Sequence, residues 1–120
     1  MFQGEVPQPF AKAHQQAVAG AEALGVFLLD HMFTSPHSVK ELGSYEALKE
    51  FYLQGIRAIP AGITELFLHP SYNNEEIAAV FPEWQKRIWE MEFLLDDDLP
   101  KVLEEEDIKL VSWASAPWGN

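Results

Sequence analysis

Histidine has the widest chemical range of the side chains in this sequence, and the setting of one histidine is distinctive. Thr64-Glu65-Leu66-Phe67-Leu68 is a short, largely apolar run that leads into His69-Pro70. Such a run predicts a buried β-strand. Proline lacks a backbone donor, so Pro70 ends strand pairing and turns the chain away. His69 is thereby expected at the carboxyl end of the strand, where parallel α/β folds collect their ligands. An imidazole titrates near neutrality and serves as acid, base or metal ligand. Val26-Phe27-Leu28-Leu29 runs in the same way into Asp30-His31, which makes Asp30 and His31 candidate rim residues. The plainer reading of either histidine is a satisfied loop hydrogen bond. His37 follows Pro36 in a polar loop and reads as solvated, and His14 reads as an exposed helix residue. The spacing of Asp30, His31 and His37 matches no specific metal signature, so no metal ligand is assigned.

Glu65 interrupts an apolar strand, and an unpaired buried carboxylate is costly. It is expected either to face solvent or to pair with a cation. Arg87 is the partner of choice, because a guanidinium matches a carboxylate in a two-bond fork. Such a Glu65–Arg87 pair would orient a helix against the strand rather than do chemistry. The chain has no Gly-rich phosphate loop and no Gly-x-Ser-x-Gly elbow. Ser71, two residues after His69, is a weak nucleophile candidate without an orienting partner.

These residues need elements to position them. A third strand is predicted at Ile108-Lys109-Leu110-Val111-Ser112-Trp113. Phe10, Ala13, Ala17, Ala21 and Leu24 recur at helical spacing and mark one face of a first helix, which Gly25 ends. Ser44 is placed to cap a helix that turns Leu48, Phe51, Tyr52 and Ile56 inward. Asn73 with Glu76 suggests a cap for a short helix through Val80. Pro82 suits the first turn of the next helix, whose apolar stripe is Trp84, Ile88, Met91 and Leu95. Asp97-Asp98 opens a last helix with Leu99, Val102 and Leu103. Residues 114–120 read as irregular.

Strands alternating with helices predict an α/β fold with about three parallel strands, flanking helices and right-handed crossovers. The expectation is a single domain over residues 1–120, a partial (β/α)-barrel-like fold. Three strands are few for an independent parallel sheet, so completion by another chain or by a larger barrel is expected.

Composition narrows the function classes. With 48% hydrophobic residues the chain is expected to fold. A net charge of −11 with scattered lysines and arginines argues against nucleic acid and against an anionic membrane. No apolar run approaches the roughly 20 residues of a membrane span. Absence of cysteine excludes disulfides and thiolate metal sites. No signal peptide is read at the amino terminus, and the cytoplasm is the expected compartment. Met1-Phe2-Gln3-Gly4 is similar to the scar of a cleaved tag, with a natural start as the equal alternative. The acidic runs Asp96-Asp97-Asp98 and Glu104-Glu105-Glu106-Asp107 read as helix starts and solvated faces.

Pro60-Ala61-Gly62-Ile63-Thr64-Glu65-Leu66-Phe67-Leu68-His69-Pro70 resembles the late strand motif of the YdjC-like carbohydrate deacetylases, a family that includes chitooligosaccharide deacetylase and the hopanoid-associated deacetylases. Phe81-Pro82-Glu83-Trp84-Gln85-Lys86-Arg87, continuing through Phe93-Leu94-Leu95, resembles the helix that follows in that family. Leu103 through Ile108 to Trp113 resembles its final helix and strand. The match runs from Pro60 to Trp113. The resemblance implies a (β/α)-barrel-like fold that removes acetyl groups from N-acetylated sugars. It also implies a divalent metal, Mg or Zn, held by an aspartate and two histidines. His69 matches the late histidine, with an implied role as general acid or in orienting the reacting group. In the family the metal ligands lie in the first half, which this chain does not resemble. The expectation is therefore a carboxyl-terminal segment that binds no metal and deacetylates nothing alone. It would work with a missing amino-terminal half or as a homo-oligomer on an N-acetylated oligosaccharide. The alternative expectation is a non-catalytic half-barrel acting through self-association or a partner chain.

Overall fold

The computed structural model describes residues 7–118. Residues 1–6, with the Met1-Phe2-Gln3-Gly4 start, and the last two residues lie outside the described residues. The chain runs α1 (Phe10–Ala23), β1 (His31–Phe33), α2 (Val39–Leu42), α3 (Tyr45–Arg57), β2 (Thr64–Leu66), α4 (Glu75–Val80), α5 (Trp84–Leu95) and α6 (Asp98–Glu105). β1 and β2 pair as a parallel two-stranded sheet, and helices account for 51% of the structure. This overturns the expected α/β, partial-barrel fold with its three strands. Among the described residues no helix is long and apolar enough to cross a membrane.

The missing sheet has local physical causes. Val26–Leu29 is apolar, but its backbone forms no ladder. Pairing begins only at the Asp30-His31 step, where both N–H groups donate to the Ile63 carbonyl at 2.9 and 3.2 Å. The segment expected as a third strand closes on itself instead. The Ser112 carbonyl accepts from the Ser115 and Ala116 N–H groups at 3.1 and 2.9 Å. The Ser112 and Ser115 hydroxyls bond each other and each other's backbone N–H. Serine side chains that bond their own backbone compete with a strand ladder. Leu110 and Trp113 are left 82% and 63% exposed, so strand-like composition here finds no sheet to join.

Two compact units divide the chain. The first comprises the residues up to Phe33, then Ala61–Glu65, then those from Val111. It holds α1, β1 and most of β2. α1 ends as its sequence suggests: Leu24 closes the helix and Gly25 follows at φ 75, a left-handed conformation that glycine adopts without strain. No α1 residue is fully buried. In the same unit Phe27, Trp118 and Trp113 stack in series, with centroids 6.2 and 5.2 Å apart.

The second unit, Thr34–Pro60 with Leu66–Leu110, is a helical assembly. Its centre is α3, which packs against α5 and α6. Ser44 caps α3, accepting from the Ala47 N–H at 3.2 Å. Leu48, Tyr52 and Ile56 then recur every four residues and are buried, as the pattern predicts. Facing them are Phe93 of α5 and Val102 of α6, both buried. The stripe predicted on α5 is displaced. Leu95 is 74% exposed, and the buried α5 residues are Glu90 and Phe93. α4 is capped by Asn74, which accepts from Ile77 N–H at 2.8 Å, one residue later than expected. α2 is an addition: Ser38 and Glu41 form a capping box, and Gly43 closes the turn at φ 79.

An ionic cluster ties α3 to the α5–α6 junction. The Tyr45 hydroxyl donates to Asp96 Oδ2 at 2.6 Å, and Lys49 Nζ reaches Asp96 and Asp98 at 3.1 and 2.7 Å. The Asp98 N–H donates to Asp96 Oδ1 at 2.9 Å. The Tyr45 hydroxyl, then the Asp98 N–H, then Lys49 lower the Asp96 carboxyl from 3.8 to about 2. A depressed carboxylate stabilises the fold above its unfolded pKa, and that contribution is lost as pH falls through the folded value. The Asp96 contribution is thus expected to disappear between 3.8 and about 2. In Tyr45→Phe, a carbon-detected NMR titration should show the Asp96 midpoint moved upward. An unmoved midpoint would show that the hydroxyl is not the main cause.

Candidate functional site

The polar chemistry of the second unit converges on a cleft of about 390 Å³. One wall is the Thr34–Ser38 segment with Glu41; the other is formed by His69 and the Glu83–Glu90 face of α5. At its base lies Glu90, only 2% exposed. The Tyr52 hydroxyl donates to Glu90 Oε2, and the His69 backbone N–H approaches Oε1 at 3.4 Å. The same Tyr52 oxygen accepts from the Ser35 N–H at 3.3 Å and meets Thr34 Oγ1 at 3.5 Å. One buried tyrosine–carboxylate pair thus anchors both walls. Burial first, and the Glu90 bond second, push the Tyr52 hydroxyl well above its usual pKa, so it remains a donor.

Other lining groups are already engaged. Lys86 Nζ donates to the Ser35 carbonyl at 2.7 Å, and Glu83 Oε2 accepts from the Val39 N–H at 2.7 Å. Glu41 serves the capping box and lies 3.8 Å from His37 Nδ1. The Ser38 backbone and side-chain bonds are the main cause of a lowered Glu41 pKa. The Arg87 guanidinium lies over the Phe81 ring at 4.1 Å. Carboxylates at Glu41, Glu83 and Glu90 stand against cations at Lys86 and Arg87. Such a mixed lining suits a neutral molecule carrying hydroxyl and amide groups better than an ion.

His69 is exposed, in the loop after β2, and its ring sits edge-on to Phe67 at 6.0 Å. The strand stops at Leu66, earlier than the apolar run predicts, yet His69 still borders the cleft. Arg87 borders it too. Glu65 falls in the first unit; Arg87, in the second, lies over the Phe81 ring. His31 opens β1 instead of following a strand. Asp30 is a backbone clamp in the first unit, its Oδ2 accepting from the Ile63 N–H at 2.7 Å. Ser71 donates its hydroxyl to the Tyr72 carbonyl at 3.1 Å.

Sequence reasoning missed the roles of Glu90, Tyr52 and Lys86. In sequence, Glu90 is one more acid on a charged helix. His37, expected to be solvated, keeps 42% of its side chain exposed while lining the cleft and meeting the Phe51 edge at 5.3 Å. Among the described residues no three His, Asp or Glu side chains gather as a group that could hold a metal ion. No step is assigned through the divalent metal that the resemblance implies. Comparison with known proteins finds no family model and no curated protein that matches this chain.

Proposed function

We propose that this chain is the carboxyl-terminal portion of a metal-dependent deacetylase of N-acetylated sugars, and that the cleft beside His69 receives the acetamido sugar. The observation that carries the reading is the placement of His69, from the strand motif that resembles the YdjC-like family. It stands at the mouth of a polar cleft with its backbone tethered to a buried carboxylate. An exposed imidazole there can orient the acetamide or hand a proton to the leaving amine. The lining matches a neutral hydroxyl- and amide-bearing ligand, as argued above. Metal ligands would come from residues outside those that line the cleft.

The test is an NMR titration of the chain with N,N′-diacetylchitobiose, paired with an acetate-release assay in added Mg or Zn. Amide shifts confined to His69, the Thr34–Ser38 segment and α5 are expected, with no acetate released. A spectrum unchanged by the sugar would overturn the assignment of the cleft. Sustained acetate release would overturn the claim that this chain lacks its metal ligands.

A further inference from the structure

Glu90 has acceptor capacity that the fold does not use. An ionised carboxylate offers about four lone-pair sites on its two oxygens. Oε2 takes the Tyr52 hydroxyl, and Oε1 has only the long His69 N–H approach at 3.4 Å. The residue is 2% exposed, yet it forms part of the cleft surface. Among the described residues no lysine or arginine forms an ion pair with it. Burying a carboxylate without a cation is costly, and each further hydrogen bond to it is correspondingly valuable. Oε1 is therefore an under-coordinated acceptor on a residue that lines the cleft, beside the backbone of His69.

We propose that Glu90 is a ligand-binding residue, whose Oε1 accepts a hydrogen bond from the acetamido N–H of the bound sugar. This rests on the sugar-cleft reading above and adds the group that tells an amide from an ester. Tyr52 is then a positioning residue, since it holds Oε2 and leaves Oε1 with only the long His69 N–H approach. The Lys86 ammonium and the Glu83 carboxylate, already bound to backbone groups, hold the walls on either side. No proton is transferred in this role. The N–H is donated, and the acetamide carbonyl is left free for whatever polarises it.

The experiment compares two probes on the intact chain by calorimetry or NMR titration: methyl 2-acetamido-2-deoxyglucoside and methyl 2-O-acetylglucoside, which lacks the N–H. Wild type is expected to prefer the amide by about tenfold or more, since a site built to accept from a donor rejects the analogue without it. Glu90→Gln places an amide in the acceptor's position and should bring the two probes near parity. Tyr52→Phe keeps the carboxylate and should retain a preference while lowering stability. A merely structural Glu90 would weaken both probes together. If wild type binds neither probe, the sugar-cleft reading fails and takes this proposal with it. If wild type binds both equally, or Glu90→Gln keeps the full preference, this proposal alone fails. The wild-type comparison decides even if Glu90→Gln does not fold.

Discussion

Replacing Tyr52 with alanine is expected to destabilise the second unit by about 3–5 kcal/mol, the usual cost of truncating a buried aromatic residue. The ring is fully buried, stacked on Phe93 at 5.2 Å and edge-on to Phe51 at 5.6 Å. It is also the contact through which α3 meets α5 at Glu90. Alanine would leave a cavity among helices that cannot collapse freely, and would strip partners from Ser35 and Glu90. Tyr52→Phe separates the two contributions. It keeps the packing and removes only the hydroxyl, leaving the Ser35 N–H and a buried carboxylate short of a partner. About 1–3 kcal/mol is expected for that loss. Urea unfolding followed by Trp84 and Trp89 fluorescence reads both variants. If Tyr52→Ala costs less than about 1 kcal/mol, well below that range, Tyr52 is not the centre of this core.

Gly62→Ala is the second substitution expected to act strongly, at about 2–3 kcal/mol on the first unit, within the range for a residue forced into sparsely populated backbone space. Gly62 sits at φ 125, which an L side chain rarely adopts. An added Cβ would also lie 2.5 Å from Asp30 Oδ2 and 2.9 Å from its Cγ. Asp30 is a flexible side chain, but it can move aside only by releasing the Ile63 N–H at 2.7 Å. The substitution therefore strains the backbone and breaks the clamp that precedes β2. Asp30→Ala should relieve the steric part and leave the backbone part. The double variant is then expected to be less destabilised than the sum of the singles. Near-ultraviolet circular dichroism of the Trp113–Trp118 stack during thermal unfolding reports on this unit. A Gly62→Ala variant that melts like wild type would show that the turn relaxes without cost.

Legibility from sequence differed by element. α3 was readable because its information is local: Ser44 supplies the cap, and Leu48, Tyr52 and Ile56 repeat at the helical period. α2 was readable in principle, since Ser38 and Glu41 have the spacing of a capping box, but the signal is only one turn long. α5 misled, because its apolar stripe and its buried face differ. Phe93 and Glu90 are buried by what α3 presents to them, and no periodicity within α5 encodes that. The strands were the weakest inference. Val26–Leu29 and Ile108–Trp113 have strand-like residues, but a strand exists only where another backbone is available to pair. Ser112 and Ser115 offered the chain a nearer set of partners.

The sequence by itself determined the Ser44 cap of α3, the stop of α1 before Gly25, the burial of Leu48, Tyr52 and Ile56, and that His69-Pro70 follows the end of an apolar segment. Those are properties of neighbours along the chain, set by backbone donors, side-chain periodicity and the geometry of proline and glycine. Only the tertiary structure decided that the sheet of the described residues has two strands, that Asp30 clamps the Ile63 backbone, and that Arg87 lies over Phe81. It also decided what His69 stands beside. Glu90 and Tyr52 are separated by 38 positions, and their hydrogen bond forms only when α3 and α5 pack. Hydrophobic burial brings such residues together without regard to sequence distance. That is why the carboxylate at the base of the cleft could not be told, in sequence, from the solvated acids around it.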